Sequence, residues 1–90
     1  MKLNLFCGQN HMDGYINIDF DPTCHPDLLI DLCPYFPFKS TRPKWPWEDN
    51  SIEEVFTKHV LEHLNPRKFS FVKSELHRIC KNNAVIKIFV

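Results

Sequence analysis

Ninety residues hold one small domain with a single core, since independent domains run from about 50 residues upward. Lys and Arg together number 11, as do Asp and Glu, so net charge gives no strong nucleic-acid signal and no pull toward an anionic membrane. No run approaches the roughly 18 apolar residues of a membrane span, and the opening MKLNLFCG lacks the apolar stretch and cleavage site of a secretory signal. A cytoplasmic chain is expected, with Cys7, Cys24, Cys33 and Cys80 as free thiols, because disulfide frameworks belong to secreted chains with closer-knit spacings.

LNLFC (3–7), YINIDF (15–20) and DLLIDL (27–32) are short, rich in Leu and Ile, and bounded by Gly, Pro, Asn and Asp, which predicts three buried strands. Their near-continuous apolar character points to a parallel sheet covered on both faces. Residues 33–49 carry Pro34, Pro37, Pro43, Pro46 and both tryptophans, too much proline for a helix or a central strand. They read as a long, stiff, apolar loop, the kind that covers a ligand or docks another part of the protein. Arg42, Lys44, Trp45 and Trp47 within it offer stacking on a base or sugar, although loop packing is favoured.

EEVFTKHV (53–60) follows the turn-like EDNS as a fourth strand, and VLEHL (60–64) adds a short helical turn. The one long helix is predicted over 66–81. Asn65 caps it, Pro66 suits its first turn, and Phe69, Val72, Leu76 and Ile79 form an apolar stripe, with Asn82-Asn83 ending it. AVIKIFV (84–90) is the fifth strand, which makes the helix the crossover of a β-α-β unit. Its β-branched and aromatic residues carry one charge, so its outer edge is an open template and homo-oligomerisation through this strand is expected.

Two of the first three strands end in an acidic residue, Asp19 and Asp31, with Gly8 just behind the first strand. Burying a carboxylate unpaired costs several kcal/mol, roughly 2–7 even for an uncharged polar group, and in open α/β sheets ligands sit beyond the carboxyl ends of the strands. Bland alternatives stand beside each: a turn glycine at Gly8, a cap or turn aspartate at Asp19 before Asp21-Pro22, and a turn role for Asp31. HVLEH (59–63) has its glutamate in the wrong place for the HExxH zinc motif, and no CxxC pair exists, so no metal site is expected.

LNLFCG (3–8), GYINIDFDP (14–22), DLLIDL (27–32), WPWEDNSIEEVFTKHVLEHL (45–64) and SELHRICKNNAVIKIFV (74–90) together resemble, in order, class I S-adenosylmethionine-dependent methyltransferases. The nearest likeness is to the small methyltransferase-domain proteins whose first strand reads LNLGCG. The resemblance implies an α/β, minimal Rossmann-like parallel sheet in the order 3-2-1-4-5 with few helices, and S-adenosylmethionine as cofactor. It implies cofactor contacts from Phe6, Cys7 and Gly8 at the first turn, from Asp19 and Phe20 around the ribose, from Asp31 and Leu32 beside the adenine, and from Lys58 and His59 along the methionine end.

Phe6 stands where that family has its first glycine, and Asn4 where it has an acidic residue. Only about seven residues join the first two strands, where a parallel crossover ordinarily needs a dozen, so one face of the sheet is expected to be thinly covered. Family members continue past IKIFV, which implies an incomplete domain. The function implied is methyl transfer to an acceptor the sequence leaves unidentified, with no catalytic residue assigned and His59 the nearest general-base candidate. The alternative is an inactive methyltransferase-like fragment or pseudoenzyme serving in assembly or regulation, and a zinc-stabilised module is a third.

Overall fold

The computed structural model describes residues 1–36, 43–58 and 63–89. Five strands, β1 (Lys2–Leu5), β2 (Ile16–Asp19), β3 (Leu28–Leu29), β4 (Ile52–Lys58) and β5 (Cys80–Phe89), form one sheet in the order β3-β2-β1-β4-β5. Every pairing is parallel. With the helix α1 (Pro66–Ile79) it is an α/β fold of minimal Rossmann-like topology, as expected.

Register sorts the side chains onto two faces. Leu3 pairs with Ile16 and Val55, and Val55 with Ile86, so these apolar residues share the face that α1 covers. Asn4 pairs with Asn17 and Phe56, and Phe56 with Lys87, on the opposite face. That face has no α-helix among the described residues. Instead the connection after β1 folds back over it, held by a buried amide network: Asn4 Nδ2 donates to Asn17 Oδ1 and to the Asn10 carbonyl, both at 2.8 Å. Asn17 Oδ1 also accepts from the Met12 N–H at 2.9 Å. Buried amides cost free energy unless bonded, and these two, 1 % and 6 % exposed, use several of their donors and acceptors on one loop.

The third predicted strand is cut to two residues because a side chain takes its place in the ladder. The Asn17 N–H donates to Asp27 Oδ2 at 2.8 Å, and Asn17 Nδ2 donates to the same oxygen. Those bonds hold the Asp27 carboxyl below its usual range.

Helix α1 starts as predicted, with Asn65 Oδ1 accepting from the Lys68 N–H at 2.8 Å and Pro66 in the first turn. It ends two residues early. Cys80 turns extended and pairs with Ile52, after which Lys81 to Ala84 form an irregularity before Glu54 pairs with Val85. Asn82-Asn83 therefore lie within this bulge and do not stop the helix. Phe69 is also not in the buried stripe: it is 43 % exposed, and Phe71, Val72, Glu75, Leu76 and Ile79 are the buried residues. Residues 60–62 of the turn expected at 60–64 lie outside the described residues.

Glu75 explains the altered stripe. Fully buried in the middle of it, its carboxylate accepts from the Trp45 N–H at 2.8 Å and from Arg78 Nε and Nη2 at 3.1 and 3.0 Å. Arg78 in turn donates to the carbonyls of Trp45 and Trp47, at 3.0 and 2.8 Å, and to Asp49. The indole N–H of Trp45 reaches the Leu32 carbonyl at 3.1 Å. The two tryptophans are thus core residues, packed edge to face with each other, Trp45 also with Phe71, and the stacking role considered for them is unavailable.

Removing Arg78 leaves the Glu75 carboxylate buried without its counter-charge, which typically costs about 3–5 kcal/mol. Arg78→Ala is expected to lower unfolding stability by about 3 kcal/mol in a denaturant titration. Because the chain has only two tryptophans, both in this loop, the emission of the native variant also shifts to the red as residues 43–49 loosen.

Candidate functional site

Connections from the carboxyl ends of β1 and β4 lead to opposite sides of the sheet, which makes the crevice between them the place where open α/β sheets bind ligands. At the end of β1 the chain turns sharply. Phe6 and Gly8 both have left-handed backbone, φ 54° and 52°. The Cys7 N–H extends the ladder to the Ile18 carbonyl at 2.9 Å, and the Gly8 N–H donates to Asp19 Oδ2 at 2.8 Å. The other oxygen of Asp19 accepts from the Asp21 N–H at 3.1 Å. A nearly buried carboxylate at the end of β2 therefore fastens two turns by their backbone. An ionised carboxylate has about four acceptor positions, so roughly two remain for hydroxyl donors.

Two clefts open at this edge. One, of about 290 Å³, is lined by Asn4, Phe6, Cys7, Asn10 and Lys58, at the ends of β1 and β4. The second, of about 330 Å³, lies toward β3, where Phe6, Phe20, Ile30 and Leu32 supply apolar surface and Asp31 and Lys68 opposite charges. Each is near the lower end of the range of ligand sites, roughly 300–1,000 Å³, and the pair joined would fall well inside it. Phe6 borders both. Its ring also packs against the core, so it stands as a partition between the two.

Of the residues expected to contact a cofactor, the structure brings Phe6, Cys7 and Lys58 to the first cleft and Phe6, Phe20, Asp31 and Leu32 to the second, while Gly8, in the turn after β1, and Asp19, at the end of β2, line neither. Phe20 is 67 % exposed, whereas Leu32 is buried. One oxygen of Asp31 accepts from the Cys33 N–H at 3.0 Å, the turn role weighed against ligand binding. His59 lies outside the described residues. A Cβ added to Gly8 would meet nothing within 4 Å, so glycine is needed there for its φ and leaves open space above the turn. Asn10 and Lys68 were not foreseen. Nothing local marks Lys68, which reaches the second cleft only because α1 begins beside the strand ends.

Burial, with the charge of Asp19 as a lesser cause, pushes the Cys7 thiol up to about 11. The first cleft is therefore bordered by a neutral, unreactive sulfur at physiological pH. Alkylation of Cys7, followed by peptide mass spectrometry, is expected to accelerate about tenfold per pH unit from pH 8 to 10 without levelling.

Comparison with protein-family models, with curated proteins and with solved structures returns no match. The left-handed turn at Phe6 is open to a direct test. From sequence alone, glycine there would cost about 0.5–1 kcal/mol through a freer chain. The observed φ reverses that sign, since a non-glycine residue in this conformation is strained by roughly 1–2 kcal/mol. Both Phe6→Gly and Phe6→Ala lose the ring's packing, so their difference isolates the backbone, and the glycine variant is expected to unfold with about 1 kcal/mol more stability.

Proposed function

We propose that the two clefts form one S-adenosylmethionine site and that the chain transfers a methyl group. The observation that carries this reading is the Asp19 carboxylate at the end of β2, held by the Gly8 and Asp21 N–H groups with acceptor capacity to spare, next in sequence to Phe20 of the second cleft and bonded to the turn that carries Phe6 and Cys7 of the first. A ribose offers two hydroxyl donors to such a group. The second cleft suits a purine, with Phe20, Ile30 and Leu32 for its faces and Asp31 to accept from an exocyclic amine. The first suits an amino acid, with Lys58 for its carboxylate and Asn4 and Asn10 nearby. Phe6 is the misfit, because a molecule spanning both clefts has to pass it.

When bound, this cofactor supplies a methyl carbon on a sulfonium centre open to in-line attack. The protein's part is positioning: Asp19 fixes the sugar, Lys58 the charged tail, and the apolar walls of the second cleft the base. Asn4 is itself locked to Asn17 and Asn10, which keeps the floor of the first cleft rigid. No side chain is assigned as general base, and the methyl acceptor is unidentified.

A second reading has a specific observation behind it. Phe6 divides the clefts while fitting into the core, and an undivided sheet without cofactor affinity would serve in assembly or regulation. Calorimetry with S-adenosylmethionine and its demethylated product separates the two. Asp19→Asn keeps one oxygen for the backbone and loses the charge, and it is expected to weaken binding at least tenfold, about 1.4 kcal/mol. Phe6→Gly is expected to tighten it. No heat from the wild type or either variant, all folded by circular dichroism, leaves the non-binding reading.

A further inference from the structure

Helix α1 roofs only part of its face of the sheet. Beyond it, Ile86 and Ile88 of β5 meet Phe69, Val72 and Leu76 in an almost wholly apolar groove of about 290 Å³. Phe69, Ile86 and Ile88 are 42–48 % exposed there, and Val85 and Phe89, on the other face of the same strand, about half exposed. β5 closes the strand order, so its outer main-chain edge has no strand partner among the described residues. Such an edge is normally blunted by charge. Here Lys87 is the one charged side chain in 82–89, and it lies 3.8 Å from Glu54 of the adjoining strand.

We propose that this edge pairs with a second copy of the chain, β5 against β5 and antiparallel, about a two-fold axis normal to the sheet. That axis keeps both α1 helices on one side, so each groove gains from the other copy the wall it lacks. The contact is isologous and closes at two. The zero formal net charge puts no repulsion between copies. Register follows from the side chains. Opposed residues share a face, so Lys87 would meet Lys87 in one alignment, which like charge disfavours. With Ile86 on the axis, Ile86 meets Ile86 and each Lys87 lies against Val85 of the other copy. One edge strand and five half-exposed apolar side chains make a patch of a few hundred Å² on each copy, short of the roughly 1,000 Å² that stable interfaces bury, so the association is expected to be weak and reversible.

This inference is independent of cofactor binding. Sedimentation equilibrium of the 90-residue chain over about 5–200 μM is expected to show a monomer–dimer equilibrium with a dissociation constant on the order of 10–100 μM. Ile88→Lys should raise that constant at least tenfold. In the wild type, amide exchange should slow with concentration at those β5 amides that do not bond to β4, a readout that needs no variant. A monomer throughout, growth beyond the dimer, or protection rising elsewhere would overturn the proposal. So would protection of those same edge amides at the lowest concentration, which would mean that the chain shields the edge itself.

Discussion

A buried pair of amides carries the part of this structure that no helix supports. Parallel sheets ordinarily bury both faces, because their crossovers lay helices on each side. Here the first two crossovers are too short, and α1 covers one face only. Asn4 and Asn17, neighbours in register, close the other by holding the loop of residues 10–15 against it. Apolar residues at these two positions would leave the loop carbonyls and N–H groups without partners and the sheet face open. The polar solution is directional, and direction matters because that loop begins with the turn that shapes both clefts.

The other face is closed by an ion pair inside an apolar layer. Glu75 and Arg78 gather the N–H of Trp45, the carbonyls of Trp45 and Trp47, and Asp49 into one network. A pair of this kind is weak evidence for stability in itself, since desolvation offsets much of the attraction. Its effect is to specify where a proline-rich loop sits. The loop then places the Trp45 indole on the Leu32 carbonyl, and Leu32 lines the second cleft. Helix, loop and cleft wall are thereby joined by bonds of 2.8–3.1 Å.

Strand existence and order were legible because apolar runs and their bounding Gly, Pro and Asp residues carry local information, and because the resemblance put five segments in register. Asn65 and Pro66 likewise announce the start of α1. What escaped notice depends on partners distant in sequence. A charged Glu75 in an apolar stripe cannot be recognised until Arg78 and Trp45 are beside it, and without it the periodicity pointed to Phe69 in place of Phe71. The end of α1 is set by pairing of Cys80 with Ile52, which outweighs the Asn82-Asn83 signal. Shortening of β3 rests on one side chain, Asp27, bonding across to Asn17.

At the candidate site, chemistry was legible and conformation was not. The positions of Asp19 and Lys58 at strand ends follow from the strands themselves, whereas Asp31, expected to end the third strand, lies two residues beyond the shortened β3 in a turn with Cys33. That Asp19 already accepts two backbone N–H bonds does not follow from the strands: the carboxylate shapes the Gly8 turn, and the ribose role proposed for it has to share its acceptors with that task. The two are compatible because backbone and ligand donors can use different lone pairs. Phe6 is the unresolved tension between the same two demands. Its backbone adopts a conformation that suits glycine, while its ring fills core space next to both clefts. Strain of this kind persists only where surrounding structure over-determines it, and here the Cys7 and Gly8 N–H bonds to Ile18 and Asp19 fix the turn on one side of the residue. The ring is thus retained against a local backbone cost, at the one described residue that lines both clefts.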